Sequence, residues 1–303
     1  MVQRVICLLT IYLMVISCRT EIKDEFPDFE KQLTVNALFA VGEPLQVHVS
    51  HAAKLETSRL GIVENAEISL YVNQVFQEML SYTDSGLYIS TVVAEAYKDY
   101  TCKVNVPGFD ILSCSQILPE VPVMTGMEHI NIAGKDEEGT SYPAVKITFQ
   151  NQPGQQVYYE IEMRNIFNYS EGTEIRPAEI HTIVDPVILN EGLPIALFSN
   201  ELIKDSLYTI TLNYTTNQAS SRGGAFRTTL FPMVIELRKV TEDYYRFKKQ
   251  LYLYEKGRFA DGITSGMTNA NLYSNIDNGY GIFAGYSSVV SDTITPNTDG
   301  YYK

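Results

Sequence analysis

Short segments in which apolar and polar residues alternate recur along most of this chain, and they limit its fold more than any other feature. In Leu33, Val35, Ala37 and again in Leu45, Val47, Val49 every second residue is apolar. That is the pattern of a strand with one face in a core and the other in water. In the first part of the chain such segments cover residues 32–38, 45–50, 66–72, 86–91, 100–106 and 111–118. The turn formers Gly42-Glu43-Pro44, Asn65, Asp84-Ser85-Gly86 and Pro107-Gly108 stand between them. A second β-rich block holds 144–149, 157–164, 195–198, 207–214 and 231–239. Between the blocks, Pro119 to Pro122 with Gly126 reads as a boundary. The expectation is a mainly β chain with two antiparallel β-sandwich-like (immunoglobulin-like) domains, 31–124 and 125–303, meeting near 119–127.

One segment reads as a helix. In 241–255, Thr241 can cap and Glu242 and Asp243 suit the positive end of the helix dipole. Tyr244, Phe247, Leu251 and Tyr254 share one face. A single apolar stripe predicts a helix lying on the second domain's sheet and burying those four side chains. A Gly-rich stretch follows, and 273–286 reads as two short strands around an Asn-Gly turn that should complete the same sheet.

The N-terminus carries a different signal. Residues 1–17, MVQRVICLLTIYLMVIS, have one early charge, Arg4, then an apolar run that stops at Ser17-Cys18. This is the layout of a secretory leader, and the run is shorter than the roughly 20 apolar residues of a membrane span. The stretch Val15-Ile16-Ser17-Cys18 resembles a lipobox, at which bacterial lipoproteins are cleaved before a cysteine that becomes acylated. An ordinary leader with a cysteine near its end is the plainer alternative. Residues 18–30 are acidic, contain Pro27 and lack periodicity, as a lipidated tether would.

Cys7 would leave with the leader and Cys18 would take lipid, so Cys102 and Cys114 remain. Each lies six residues from Gly108, and a hairpin turning there sets them opposite one another. In an exported chain such a pair is expected to form a disulfide, with two buried free thiols as the alternative. No CxxC spacing is present to hold zinc.

Charge then excludes some partners. The chain has 23 basic and 36 acidic residues, and loss of the leader removes one basic residue. So acidic a body argues against nucleic acid and against electrostatic attachment to anionic lipid. Catalytic signatures are also missing: GxSxG, HExxH, the P-loop, GxGxxG and the EF-hand loop do not occur. His48 and His51 are three apart on a strand and point to opposite faces, while His129 and His181 stand alone. The run Asp136-Glu137-Glu138-Gly139 reads as a solvated acidic turn, not a calcium site. The sequence therefore implies no metal, no cofactor and no enzyme.

Several stretches together resemble a large, functionally uncharacterised family of Bacteroidetes outer-membrane lipoproteins. They are FPDFEKQLTVNALFAVGEPLQVHVS, the run Val63 to Tyr71, Glu242-Asp243-Tyr244-Tyr245-Arg246-Phe247, and above all LYSNIDNGYGIFAGY at 272–286. The resemblance covers roughly residues 18–290. It implies a lipoprotein held at the outer membrane by its acylated Cys18, often encoded near TonB-dependent transporters, and it supplies no activity. Lys23-Asp24-Glu25 resembles the surface-export signal of such lipoproteins, which favours the cell surface over the periplasmic face. Asp205-Ser206-Leu207 and Asp292-Thr293-Ile294 resemble their O-glycosylation signal, with Ser206 and Thr293 as acceptors. The function so implied is a non-catalytic binding or accessory subunit, with a TonB-dependent transporter as the partner. A structural adhesin and a hydrolase are the rival readings.

Overall fold

The computed structural model describes residues 32–52, 61–170, 172–260, 272–299 and 301, and the side chains of the last helix as far as residue 256. The expected leader, Cys18 and the expected tether lie outside the described residues. In chain order the first half forms β1 (Leu33–Ala40), β2 (Pro44–His51), β3 (Gly61–Ile62), β4 (Glu67–Val72), β5 (Val75–Met79), β6 (Ser81–Tyr82), β7 (Leu87–Val93), β8 (Asp99–Asn105) and β9 (Leu112–Ile117). The second half forms β10 (Met124–Lys135), β11 (Ser141–Gln150), β12 (Tyr158–Tyr169), β13 (Gly172–Pro177), β14 (Glu179–Ile180) and helix α1 (Pro186–Glu191). It continues through β15 (Leu197–Ser199), β16 (Leu207–Thr215), β17 (Ala219–Arg222), β18 (Ala225–Thr228), β19 (Met233–Val240), helix α2 (Glu242–Ala260) and β20 (Tyr280–Val290).

The chain is mainly β, with sandwich-like layers, as expected. A sheet of order β13-β12-β19-β20-β1-β2-β7-β6 forms a common wall. On its β1–β2 half packs a four-stranded sheet, β5-β4-β8-β9, enclosing Val35, Val47, Ile68, Leu70, Tyr100 and Phe283. On its β12–β19 half packs the sheet β14-β16-β11-β18-β17, enclosing Ile147, Phe149, Tyr159, Ile210, Ile235 and Leu237. Helix α2 covers the other face of that half, over Tyr158, Leu197, Val240, Ile282 and Ala284.

The first core draws on residues up to Leu118 together with Ile276 and Phe283 from the end of the chain, the second on residues from Val145 to Leu237, and the wall beneath them does not divide. Strand β20 pairs in parallel with β1, from Thr34↔Tyr280 to Ala40↔Tyr286, and antiparallel with β19, from Glu236↔Val290 to Val240↔Tyr286. One sheet therefore takes strands from both sides of 119–127, and residues 32–303 form one compact unit. The expectation of two domains with separate sheets is corrected accordingly. Nearest-neighbour patterning cannot reveal a strand pair separated by some 240 residues of chain.

The motif at 272–286 builds this join. It forms one strand and not two, since residues 272–279 are irregular apart from a bridge between Asp277 and Ser113. Asn275 imitates a neighbouring strand: Phe283 N–H donates to its Oδ1 and its Nδ2 donates to Phe283 O, both at 2.8 Å. The glycines give room. Gly281 has φ +115°, and a Cβ there would stand 2.0 Å from the Val35 carbonyl oxygen of β1. At Gly285 a Cβ would stand 2.2 Å from Leu118 Cδ2 of the covering sheet.

Helix α2 starts where expected, with Tyr244 N–H donating to Thr241 Oγ1 at 3.4 Å. Of the four side chains expected to be buried, Tyr244 is buried, while Phe247, Leu251 and Tyr254 are half-buried. Phe247 packs against the apolar patch under the helix, and Glu160 and Arg238 take up part of the face beside it. The β8–β9 hairpin also turns at Pro107-Gly108 and sets Cys102 opposite Cys114. The expected disulfide is corrected: both thiols are free and buried, with Cys114 Sγ 3.8 Å from the Cys102 carbonyl oxygen. Leu118 N–H donates to Lys98 O at 3.2 Å, and by alternation Cys102 and Cys114 form a hydrogen-bonded pair, whose side chains stand further apart than those of a non-bonded pair. The Cys114 thiol and burial raise the pKa of Cys102, which suppresses the thiolate that oxidation requires.

Candidate functional site

Strands β12 and β19 pair Glu160 with Arg238 and Glu162 with Glu236. Their odd-numbered neighbours Tyr159, Ile161, Ile235 and Leu237 face the second core, so the charges share the opposite face. Arg238, only 9% exposed, gathers them. Its Nη1 donates to Glu160 Oε2 at 2.8 Å and Glu162 Oε1 at 2.5 Å, and its Nε and Nη2 donate to Glu236 at 3.0 Å each. Arg164 also pairs with Glu236, and the Arg238 guanidinium lies 4.6 Å from the centroid of the Tyr286 ring. From the helix, Tyr244 O–H donates to Glu160 Oε2 at 2.6 Å. Lys248 sits over Tyr244 and Lys256 over Tyr252, one turn apart in each case.

These groups fix one another's charge. Burial works to raise the pKa of Glu236, but hydrogen bonds and attraction from Arg238 hold it below the usual carboxylate range. Burial works against the Arg238 cation, and Glu236 and Glu160 more than offset it. Burial and the Glu160 charge push Tyr244 upward. Each carboxylate of the array meets a cation or a hydroxyl, whereas Arg164 Nε is buried without a hydrogen-bond partner. Beside it opens a groove of about 500 Å³, lined by residues 160–164, 177–180 and 194–197 with Tyr252 and Lys256 of α2.

A second cleft, about 490 Å³, lies between the two cores. Its hub is Glu120, in the stretch that links the two halves. The Glu120 carboxylate accepts from Lys239 Nζ at 2.6 Å, from the Tyr97 hydroxyl and from the Gln152 amide, while its carbonyl accepts from the Ser287 hydroxyl. The bonds from Lys239 and Tyr97 hold Glu120 below its ordinary pKa. Lys239 is buried, and Tyr97 stands at the rim, 67% exposed and with φ +61°, an uncommon conformation for so bulky a residue. Gln116 and Ile117 of β9 form one wall, Gln155 and Gln156 another.

The residues singled out in the sequence do not converge on either cleft. Cys18 lies outside the described residues, and Cys102 and Cys114 are sealed in the first core. Ser206 and Thr293 are both exposed, on separate loops. His48 contacts Ser85 O at 3.0 Å, His51 lies against Phe109, His129 bonds Tyr214 and Asn131, and His181 stacks on Tyr142. Asp136 accepts from Glu138 N–H and Thr140 N–H, closing the acidic turn between β10 and β11. Among the described residues, no group of three or more His, Cys, Asp or Glu side chains is arranged to hold a metal ion. Sequence reasoning passed over Glu120, Glu160, Glu162, Glu236, Arg238 and Lys239. The signal was available in YEIEMR and VIELRK, two charged strand faces near a helix with Lys and Tyr four apart.

Residues 19–291 match the profile of DUF4249, described as a domain of unknown function. No curated protein matches. Four solved chains match. One is a crystal structure from Corynebacterium diphtheriae, described only provisionally as a membrane anchored protein, at 11% identity and a TM-score of 0.22. The match covers 70% of this chain and 55% of that one, so this chain spans about half its length. So loose an overlap informs neither fold nor function. Among the described residues, no helix is long and apolar enough to cross a membrane.

Proposed function

The chain belongs to the DUF4249 family, and on that premise we propose that it is an outer-membrane lipoprotein acting by binding, as a non-catalytic accessory subunit of a TonB-dependent transporter. The observation that carries this reading is the N-terminal sequence, an apolar leader that stops at Ser17-Cys18 and continues as an acidic tether. Several acyl chains on Cys18, each gaining about 0.8 kcal/mol per buried CH₂, make such attachment effectively permanent. The 15 residues from Cys18 to Leu33 span at most about 50 Å, so the β body stays within reach of a barrel in the same bilayer. Lys23-Asp24-Glu25 favours the cell-surface side. The paired charges of both clefts support binding. Purification from the native outer membrane in mild detergent tests the reading, and the expected result is a stoichiometric β-barrel partner. Cys18→Ala should release the protein from membranes. Recovery of that variant in the membrane fraction without acyl label would contradict the anchor.

A further inference from the structure

Strand β9 ends the four-stranded sheet, so one of its edges has no neighbour within that sheet. Its register with β8 shows which backbone groups use which edge. Leu118 bonds Lys98, and opposed residues of an antiparallel pair bond alternately. Leu112, Cys114 and Gln116 therefore turn N–H and C=O toward β8, while Ser113, Ser115 and Ile117 turn theirs outward. Ser113 is met on the outer edge by Asp277, at 3.4 and 2.9 Å in the two directions. Among the described residues, no such bridge reaches Ser115 or Ile117, and both are exposed. This open stretch of edge leads toward the cleft between the cores, which Gln116 and Ile117 line.

The cleft supplies further features that fit the same ligand. Gln116 Oε1 is buried with no hydrogen-bond partner, an arrangement that an incoming N–H donor would relieve. Tyr97 and Ile117, 67% and 60% exposed, form an apolar rim beside it. Lys239 neutralises Glu120 and Arg246 pairs with Glu242, so the bias against acidic segments comes from the chain as a whole, with its formal charge of −13. An open edge offers main-chain bonds, flanking pockets select side chains, and the charge disfavours acidic segments.

We infer that the outer edge of β9 takes up an extended, uncharged or basic peptide segment of a partner protein, added as a further strand at Ser115 and Ile117 within the cleft. This rests on the binding half of the proposed function and not on the anchor or the transporter. An unaltered protein found without acyl label and outside the membrane fraction that still binds peptide would overturn only the anchor. One that is acylated and membrane-bound but does not bind peptide would overturn only this inference.

The test uses the mature chain with two synthetic octapeptides, KTVTYTVK and ETVTYTVE, acetylated and amidated, followed by calorimetry and amide exchange. Ser115→Pro removes an outward N–H that β8 does not use, which an edge strand tolerates, and Ser115→Ala removes only the hydroxyl. The expected result is binding of KTVTYTVK by the unaltered chain and by Ser115→Ala. Binding should be at least tenfold weaker for Ser115→Pro and for the acidic peptide. KTVTYTVK should also slow exchange at the Ser115 and Ile117 amides at least tenfold, a readout that holds even if the proline variant fails to fold. The inference is overturned if KTVTYTVK does not bind, if folded Ser115→Pro binds it as tightly as the unaltered chain, or if those amides exchange unchanged. Self-association through this edge, dispersed by Ser115→Pro, would also overturn it by making a second copy the occupant.

Discussion

The two halves of the ten-stranded sheet solve the same packing problem in opposite ways. In the β1–β2 half one face is hydrocarbon, with Leu33, Val35, Leu45, Val47 and Val49 buried, and residues such as Asn36, Leu38 and Gln46 on the other face reach solvent. In the β12–β19 half both faces are covered. One meets the second core, and the other sets Glu160, Glu236 and Arg238 beneath helix α2. Covering a charged face works here because every carboxylate meets a cation or a hydroxyl, which offsets its desolvation. The same alternating sequence therefore reports water in one half and an ion network in the other.

The largest expected effect separates the halves by charge. Arg238→Ala removes the cation shared by Glu160, Glu162 and Glu236, leaving Arg164 on Glu236 and Tyr244 on Glu160, and should cost about 3–5 kcal/mol of stability, read from the urea midpoint. A loss below about 1 kcal/mol would mean that the network is no more than a solvated surface. In the hydrocarbon half, Leu70→Ala, fully buried, should cost about 2–5 kcal/mol by the lost transfer energy and the cavity left behind.

Acid sharpens the contrast. Glu236 titrates below its ordinary value: burial opposes its charge, and Arg238 overcomes that. Glu191 is likewise held low by Lys249, Tyr245 and the Ser199 N–H against the effect of burial. A depressed carboxylate adds stability that is complete above the unfolded value, 4.5, and is lost as pH falls through the folded one. The penalty of Arg238→Ala should therefore shrink between pH 6 and acid conditions, while that of Leu70→Ala should stay constant. Equal pH dependence of the two penalties would erase the distinction. The smallest effect belongs to Leu251→Ala on the half-buried part of α2, about 1 kcal/mol or less by thermal or urea unfolding.

Strands such as β1, β2, β8, β12 and β19, the helix and its Thr241 cap, and the hairpin facing Cys102 to Cys114 were legible in the sequence because each depends on neighbours within a few residues. By contrast β5, β10, β13, β17 and β18, which bury few residues, carry no clear apolar alternation and were missed. The thiol state was not, because it turns on which residues of β8 and β9 exchange hydrogen bonds. Nor was the depth of the charged face: Glu160 and Arg238 obey the period of a solvent-facing edge, and their burial depends on how α2, which directly follows β19, folds back over the sheet. The Asn-Gly of 272–286 suggested a hairpin. Its glycines instead admit the Val35 carbonyl and Leu118 across the join between β1 and β20, contacts that depend on chain far away in sequence.

The shared strand β20 makes the two cores one folding unit, and a perturbation in one half read out in the other tests that directly. Cys102 and Cys114 lie in the first core, and Arg238 lies on the wall of the second. In Arg238→Ala, the urea midpoint for alkylation of the two thiols should fall by as much as the midpoint for amide exchange in β12 and β19. A thiol midpoint that stays where it is in the unaltered chain, while β12 and β19 open early, would show that the cores unfold separately.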